Sequence, residues 1–156
     1  MIIAVSGTPG TGKTTLAKKL AKELKCKLID VNKFVKEKKI SEGYDKERKC
    51  EIVDTKKLSK ELIKLIKDEK NLVIDSHLSH YLPKEYVDIC VITKCELKEL
   101  KKRLKKKGYK KEKIRENLDV EIFDTCRVEA LEAGHNVIVV DTTKSYNIKE
   151  IVKKLK

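Results

Sequence analysis

Three features of this sequence predict an α/β fold with a parallel sheet. Five short apolar segments stand at residues 2–5, 27–30, 72–75, 87–92 and 136–140. Helical patterns separate them, and a glycine-rich loop joins the first segment to the first helix. Strands that alternate with helices form a parallel sheet with helices on both faces, here of five strands. No repeat or linker divides the 156 residues, so one domain spanning 1–156 is expected.

The first strand, Ile2-Ile3-Ala4-Val5, runs into Gly7-Thr8-Pro9-Gly10-Thr11-Gly12-Lys13-Thr14-Thr15. A helix with Leu16, Ala17, Leu20, Ala21 and Leu24 on one stripe follows. Strand, glycine-rich loop and helix are the setting of a Walker A phosphate loop. Gly7, Gly10 and Gly12 let backbone N–H groups converge, and the helix N-terminus adds its positive end. Lys13 would reach the β- and γ-phosphates, and the Thr14 hydroxyl would ligate Mg²⁺. Thr15 would add a contact on the α-phosphate side. A P-loop NTPase that binds a nucleoside triphosphate is therefore expected.

Strand 2 is residues 27–30. The polar segment 31–53, with Gly43-Tyr44-Asp45 at its centre, is too long for a plain connector and reads as a helical substrate arm. Asp54 or Thr55 caps the next helix, whose stripe is Leu58, Leu62, Leu65 and Ile66. Leu72-Val73-Ile74-Asp75 is an apolar strand that ends on a carboxylate beside the phosphate loop. Asp75 thus reads as the Walker B acid, the alternative being a cap or turn aspartate. In an extended chain His77 shares its side and would hold a water or a phosphate oxygen. His80 reads as a loop histidine; with His77 alone it makes no metal site.

After strand 4 comes a helix with Leu97, Leu100 and Leu104 inside and lysines around them. Arg103 and Lys107 share a face one turn apart, and Gly108 breaks the helix, as a mobile lid requires. One long helix is expected over 112–133, with Ile114, Leu118, Ile122, Cys126 and Ala130 facing in and Gly134 as its stop. Its Arg115 and Arg127 would reach phosphates or pair with neighbouring glutamates. The last strand leads to a helix capped at Asn147.

The net charge of +13 comes almost wholly from lysine. It fits contact with a polyanion such as RNA, or a thermally adapted surface. Five cysteines without a C-x-x-C pair are expected to be reduced. No stretch before strand 1 reads as a leader, and no apolar run nears the roughly 20 residues that span a bilayer. A cytoplasmic protein is expected.

The loop GTPGTGKTT, the arm with Glu42-Gly43-Tyr44-Asp45, Asp75-Ser76-His77 and Arg103-Leu104 before Gly108-Tyr109 together form a pattern. Glu112-Lys113, Asn117 and Glu121-Ile122-Phe123 extend it. The pattern resembles the adenylate kinase isoenzyme 6 group, the adenylate-kinase-like ATPases of small-ribosomal-subunit maturation, in an archaeal form. The resemblance implies an adenylate-kinase-like fold of strand order 2-3-1-4-5, an AMP arm at about 30–53 and a short lid at about 106–116. It implies transfer of the γ-phosphate of ATP to AMP and related monophosphates, with ATPase activity. It also implies a role in late rRNA processing through a platform ribosomal protein of the S-eleven family, on the pre-30S particle. Gly10, Gly12, Lys13, Thr14, Thr15, Arg103 and Lys107 would bind ATP, and Thr14 and Asp75 would hold Mg²⁺. Lys13, Asp75, His77 and Arg103 would carry the chemistry, and Lys36, Gly43, Tyr44 and Asp45 the AMP arm. Two departures stand out. Lys107 sits where the group has arginine, and Lys33, Lys36, Lys38 and Lys39 replace the arginine usual in monophosphate kinases, which weakens bidentate clamping. A small-molecule kinase of similar fold is the rival reading.

Overall fold

The computed structural model describes residues 1–46 and 50–156. Strand β1 (Ile2–Gly7) is apolar at nearly every position because it is covered on both faces. It pairs in parallel with β5 (Leu72–Asp75) on one side and β6 (Ile89–Lys94) on the other. Adding β2 (Lys27–Asp30) beside β5 and β7 (Val137–Asp141) beside β6 gives the order β2-β5-β1-β6-β7. Counting only these five strands, that is 2-3-1-4-5. Strand 4 of the sequence reading starts later than expected: at Asp88 the Ile2 N–H goes to the side-chain carboxylate at 2.7 Å while the Asp88 N–H donates to Ile2 O at 2.9 Å, and the regular strand begins at Ile89.

The period of two along β1 divides the core. Ile2 and Ala4 pack with Cys90, Ile92, Leu58 and Leu62, under α3 (Thr55–Asp68). Ile3 and Val5 pack with Val73, Val91, Leu16, Leu20 and Ile151, under α1 (Lys13–Leu24) and α7 (Ile148–Leu155). Helices therefore cover both faces. As expected, the Asp54 carboxylate caps α3 by accepting the Lys56 N–H at 2.9 Å, and the Asn147 side chain caps α7 by accepting that of Lys149 at 3.0 Å. Among the described cysteines, Cys26, Cys90, Cys95 and Cys126 are free thiols. Burial pushes Cys90 up to about 12 and Cys126 to about 11, as inert core thiols require. The side chain of Cys50 lies outside the description. No described helix is long and apolar enough to cross a membrane.

Three expectations need correction. The arm is not a helical arm: α2 (Val31–Glu37) is followed by an antiparallel hairpin of β3 (Ser41–Asp45) and β4 (Cys50–Val53). The chain reverses at Lys39, whose left-handed φ of 53° lets Ile40 donate back to the Val35 carbonyl at 3.1 Å. Arg48, in the middle of the expected arm, lies outside the described residues.

The long helix is two, α5 (Lys111–Ile122) and α6 (Thr125–Glu132). Asp124 breaks it in the left-handed conformation (φ 55°), with its carboxylate held by Lys94 at 2.6 Å and by Arg127. The break leaves Ile122 56% and Phe123 73% exposed, so Ile122 does not belong to the inward stripe.

Most of the stretch 106–116, expected as a lid, is helical. Helix α4 (Leu97–Lys106) ends in a Schellman turn, with Gly108 donating to Lys105 O and Tyr109 to Leu104 O, and α5 starts at Lys111. Tyr109 packs on the cluster of Leu100, Leu104 and Ile114, which pins the turn.

The same two leucines of α4 press on the phosphate loop. A Cβ on Gly10 (φ 91°) would stand 2.9 Å from Leu104 Cδ2 and 3.0 Å from Leu100 Cδ1. Gly10→Ala is therefore expected to lower stability by about 2 kcal/mol through left-handed strain and overpacking. Urea unfolding should show an earlier midpoint at constant slope. An unchanged midpoint would refute the contact.

Candidate active site

The phosphate loop is held from below by threonines. Thr11 Oγ1 donates to Thr8 O at 2.6 Å and lies 2.6 Å from Thr93 Oγ1 at the end of β6. Thr142, just past β7, donates its hydroxyl to Thr11 O and its N–H to Lys94 O at 2.8 Å. Gly7 runs so close to Thr93 that a Cβ would meet its hydroxyl oxygen at 2.3 Å. The loop is thus tied to both strands on that side of β1, and Gly12 (φ 84°) opens α1 with its N–H groups facing outward.

Two cavities meet at this loop. The larger, about 610 Å³, runs from Lys13 and Asp75 toward Lys36 and Tyr44 of the arm and to α5 and α6. The smaller, about 490 Å³, lies over Gly10, Gly12 and Thr15 and is bounded by Arg103, Thr142 and Tyr146. Lys13, Thr14 and Lys107 line both. Sequence reading placed all three at the phosphates; the structure puts them at the junction of two chambers.

Asp75 ends β5 opposite Val5 of β1 and Asp30 of β2, and only 7% of it is exposed. Burial raises its carboxyl above the ordinary range, against the lowering effect of a Thr14 hydrogen bond and the Lys13 charge. Lys13 is pulled down to about 8 by desolvation, which the nearby Asp75 opposes and Lys107 reinforces. Neither charge is fully satisfied by the other. Thr14 and Asp75 offer hard oxygen donors, and among the described residues no group of three His, Cys, Asp or Glu is arranged to hold a metal ion. That donor set fits Mg²⁺ carried in largely by phosphate oxygens.

The chain does not stay extended after Asp75. It turns at Ser76, whose hydroxyl accepts the Leu78 N–H at 3.0 Å. His77 nevertheless lines the larger chamber, its carbonyl taking the Ser6 hydroxyl at 3.2 Å. The chamber walls and then the Lys13 charge lower its imidazole from the ordinary value, although the side chain itself stays exposed to solvent. His80, expected as a plain loop residue, is buried. Its ring bridges Ser6 Oγ and Glu129 Oε2, each at 2.7 Å, and thereby fastens β1 to α6.

Other expected residues fall elsewhere. Arg103 donates to Thr142 O at 2.7 Å and to Glu99 at 3.3 Å, so it walls the smaller chamber instead of hanging from a lid. Of the arm, Lys36 and Tyr44 line the larger chamber; Gly43 and Asp45 lie in β3 away from it. Arg115 is solvent-exposed and Arg127 is paired with Asp124, so neither reaches the cavities. Lys113, Asn117, Thr125 and Glu129 of α5 and α6 stand on the chamber wall instead. For Lys113 and Asn117 the spacing of four was a usable signal.

A polyphosphate brings the negative charge that Lys13 lacks. Binding of the β,γ-imido analogue of ATP should therefore take up a proton near pH 8 to 9, where free Lys13 is partly neutral. Below about pH 7 the lysine is protonated in both states, and uptake should vanish. Calorimetry in buffers of different ionisation heat measures this directly; uptake that persists in Lys13→Met would assign it to another group.

Comparison with known proteins matches this geometry. The AAA domain family model matches residues 3–124. A Pyrococcus furiosus protein named "Putative adenylate kinase" is 42% identical over 146 residues, 92% of this chain and 76% of the relative. A Pyrococcus abyssi protein of the same name is 40% identical over 155 residues, 99% and 82% of the two chains. The fold is similar to that of shikimate kinase from Acinetobacter baumannii, with a TM-score of 0.64 at 18% identity over 99% of this chain and 89% of that one. The phosphate loop, its kinase fold and these relatives place the chain in one family: it belongs with the archaeal P-loop proteins that carry the adenylate kinase name.

Proposed function

We propose that this protein transfers the γ-phosphate of ATP to AMP and related nucleoside monophosphates. The observation that carries this reading is the pair of chambers meeting at Lys13, Thr14 and Lys107. The smaller takes the donor: Gly10, Gly12 and Thr15 face its phosphates, and Arg103 and Tyr146 flank its nucleoside. The larger takes the acceptor, with Lys36 and Tyr44 of the arm toward its far end. A phosphate acceptor is already anionic, so no strong base is needed. Positioning and neutralisation suffice. Lys13 gives its charge to the oxygens of the transferring group, and Lys107 closes the junction from the α4–α5 turn. Mg²⁺, held through Thr14 and Asp75, would supply charge neutralisation on the nucleotide phosphates.

Without an acceptor, the His77 imidazole can accept a hydrogen bond from a water in the larger chamber and orient it, which supports a slow ATPase activity. The landmarks shared with the isoenzyme 6 group support a cytoplasmic role for that hydrolysis in late small-subunit rRNA maturation. A platform ribosomal protein of the S-eleven family and the pre-30S particle would be its partners, with the lysine surface available to RNA. The fold alone would equally suit a small-molecule kinase; the lysine-lined acceptor chamber favours a phosphorylated acceptor.

Following ADP formation with Mg²⁺ and ATP tests the reading. AMP should accelerate turnover at least tenfold, and Lys13→Ala should remove both activities by about a thousandfold or more, as expected for loss of the main phosphate charge. His77→Ala should depress acceptor-free hydrolysis about tenfold while sparing transfer. Equal loss of the two would remove its water-orienting role. Stimulation by the platform protein but not by AMP would favour the assembly ATPase.

A further inference from the structure

Asn117 lies in α5 on the wall of the larger chamber and is 91% buried, given its 9% exposure. Its Nδ2 has no hydrogen-bond partner among the described residues. The other such described atom, His135 Nδ1, belongs to a residue that does not line that chamber. A buried amide donor without an acceptor is costly, and an apolar side chain of the same size would avoid that cost. One turn earlier on the same helix face, Lys113 also lines the chamber, with its Nζ 4.0 Å from the Tyr109 ring centroid. Its charge is felt at His77 across the cavity. One turn later, Glu121 is near enough to influence Lys13. Lys113 and Asn117 therefore line the chamber one turn apart, on a helix face that leads on toward the Lys13 end. Arg115 points to solvent.

We infer that Lys113 and Asn117 form the acceptor-phosphate contact, with the Asn117 amide turning to donate to a phosphate oxygen that arrives with the substrate. This rests on the phosphoryl-transfer reading above. The pair supplies a phosphate contact from α5, across the chamber from Lys36 of the arm. One ammonium and one neutral donor can hold a monophosphate without bidentate geometry.

Calorimetric titration with AMP, with adenosine and with the β,γ-imido analogue of ATP separates the possibilities. In Asn117→Leu and Asn117→Ser, AMP should bind at least tenfold more weakly, while adenosine and the ATP analogue change less than twofold. Lys113→Met should show the same pattern. The melting temperature of Asn117→Leu should hold or rise, because the orphan donor is gone. Parallel loss of AMP and adenosine binding would overturn the phosphate contact. So would unchanged AMP affinity, or a lowered melting temperature in both Asn117 variants with AMP binding intact. If the wild-type chain binds AMP no better than adenosine, the acceptor reading itself fails. If it binds AMP and the variants do so equally, only this inference fails.

Discussion

The close packing of the phosphate loop onto its neighbours is the constraint on which the rest of this structure depends. Gly7 passes so near Thr93, and Gly10 so near Leu100 and Leu104, that no side chain fits at either position. The loop's N–H groups can face outward only because its underside is occupied. Thr11, Thr93 and Thr142 supply the hydrogen bonds there, and two leucines supply the packing. Because those leucines belong to α4, the helix that seats the loop also delivers Arg103 and Lys107 to the two chambers. Loop and cation-bearing helix form one packed unit.

Charge in the site is left incomplete. Lys13 and Asp75 oppose each other, yet burial depresses the lysine and raises the acid. A structural ion pair would show both groups stabilised in their charged forms. Here desolvation dominates both, so the pair does not satisfy its own charges. Asn117 repeats the pattern in neutral form, as a donor kept in a costly place. His80 is the opposite case: both ring nitrogens are satisfied, and its work is to join β1 to α6.

Much of this was legible in the sequence because it depends on local order. The βα alternation, the glycine spacing, Asp75 at the end of an apolar strand and the caps at Asp54 and Asn147 follow from periodicity and short-range hydrogen bonding. The hairpin of β3 and β4 was missed because its strands are short and β3 is largely exposed, so no alternation marks it. The helix break was missed because Asp124 is no obvious breaker. It holds a left-handed conformation through Lys94, thirty residues away, together with Arg127.

By itself, the sequence determined the sheet, the phosphate loop and the class of ligand it cradles, since glycine freedom and the Lys13-Thr14 order act within one turn of chain. Only the tertiary structure decided which side chains face the second chamber. That depends on helix rotation, set by packing: α5 turns Lys113 and Asn117 inward and Arg115 outward, and α6, redirected at Asp124, brings Thr125 and Glu129 to the wall. Residue type favoured the arginines as phosphate ligands. Helix phase, which no local propensity fixes, assigned the wall to a lysine and an asparagine.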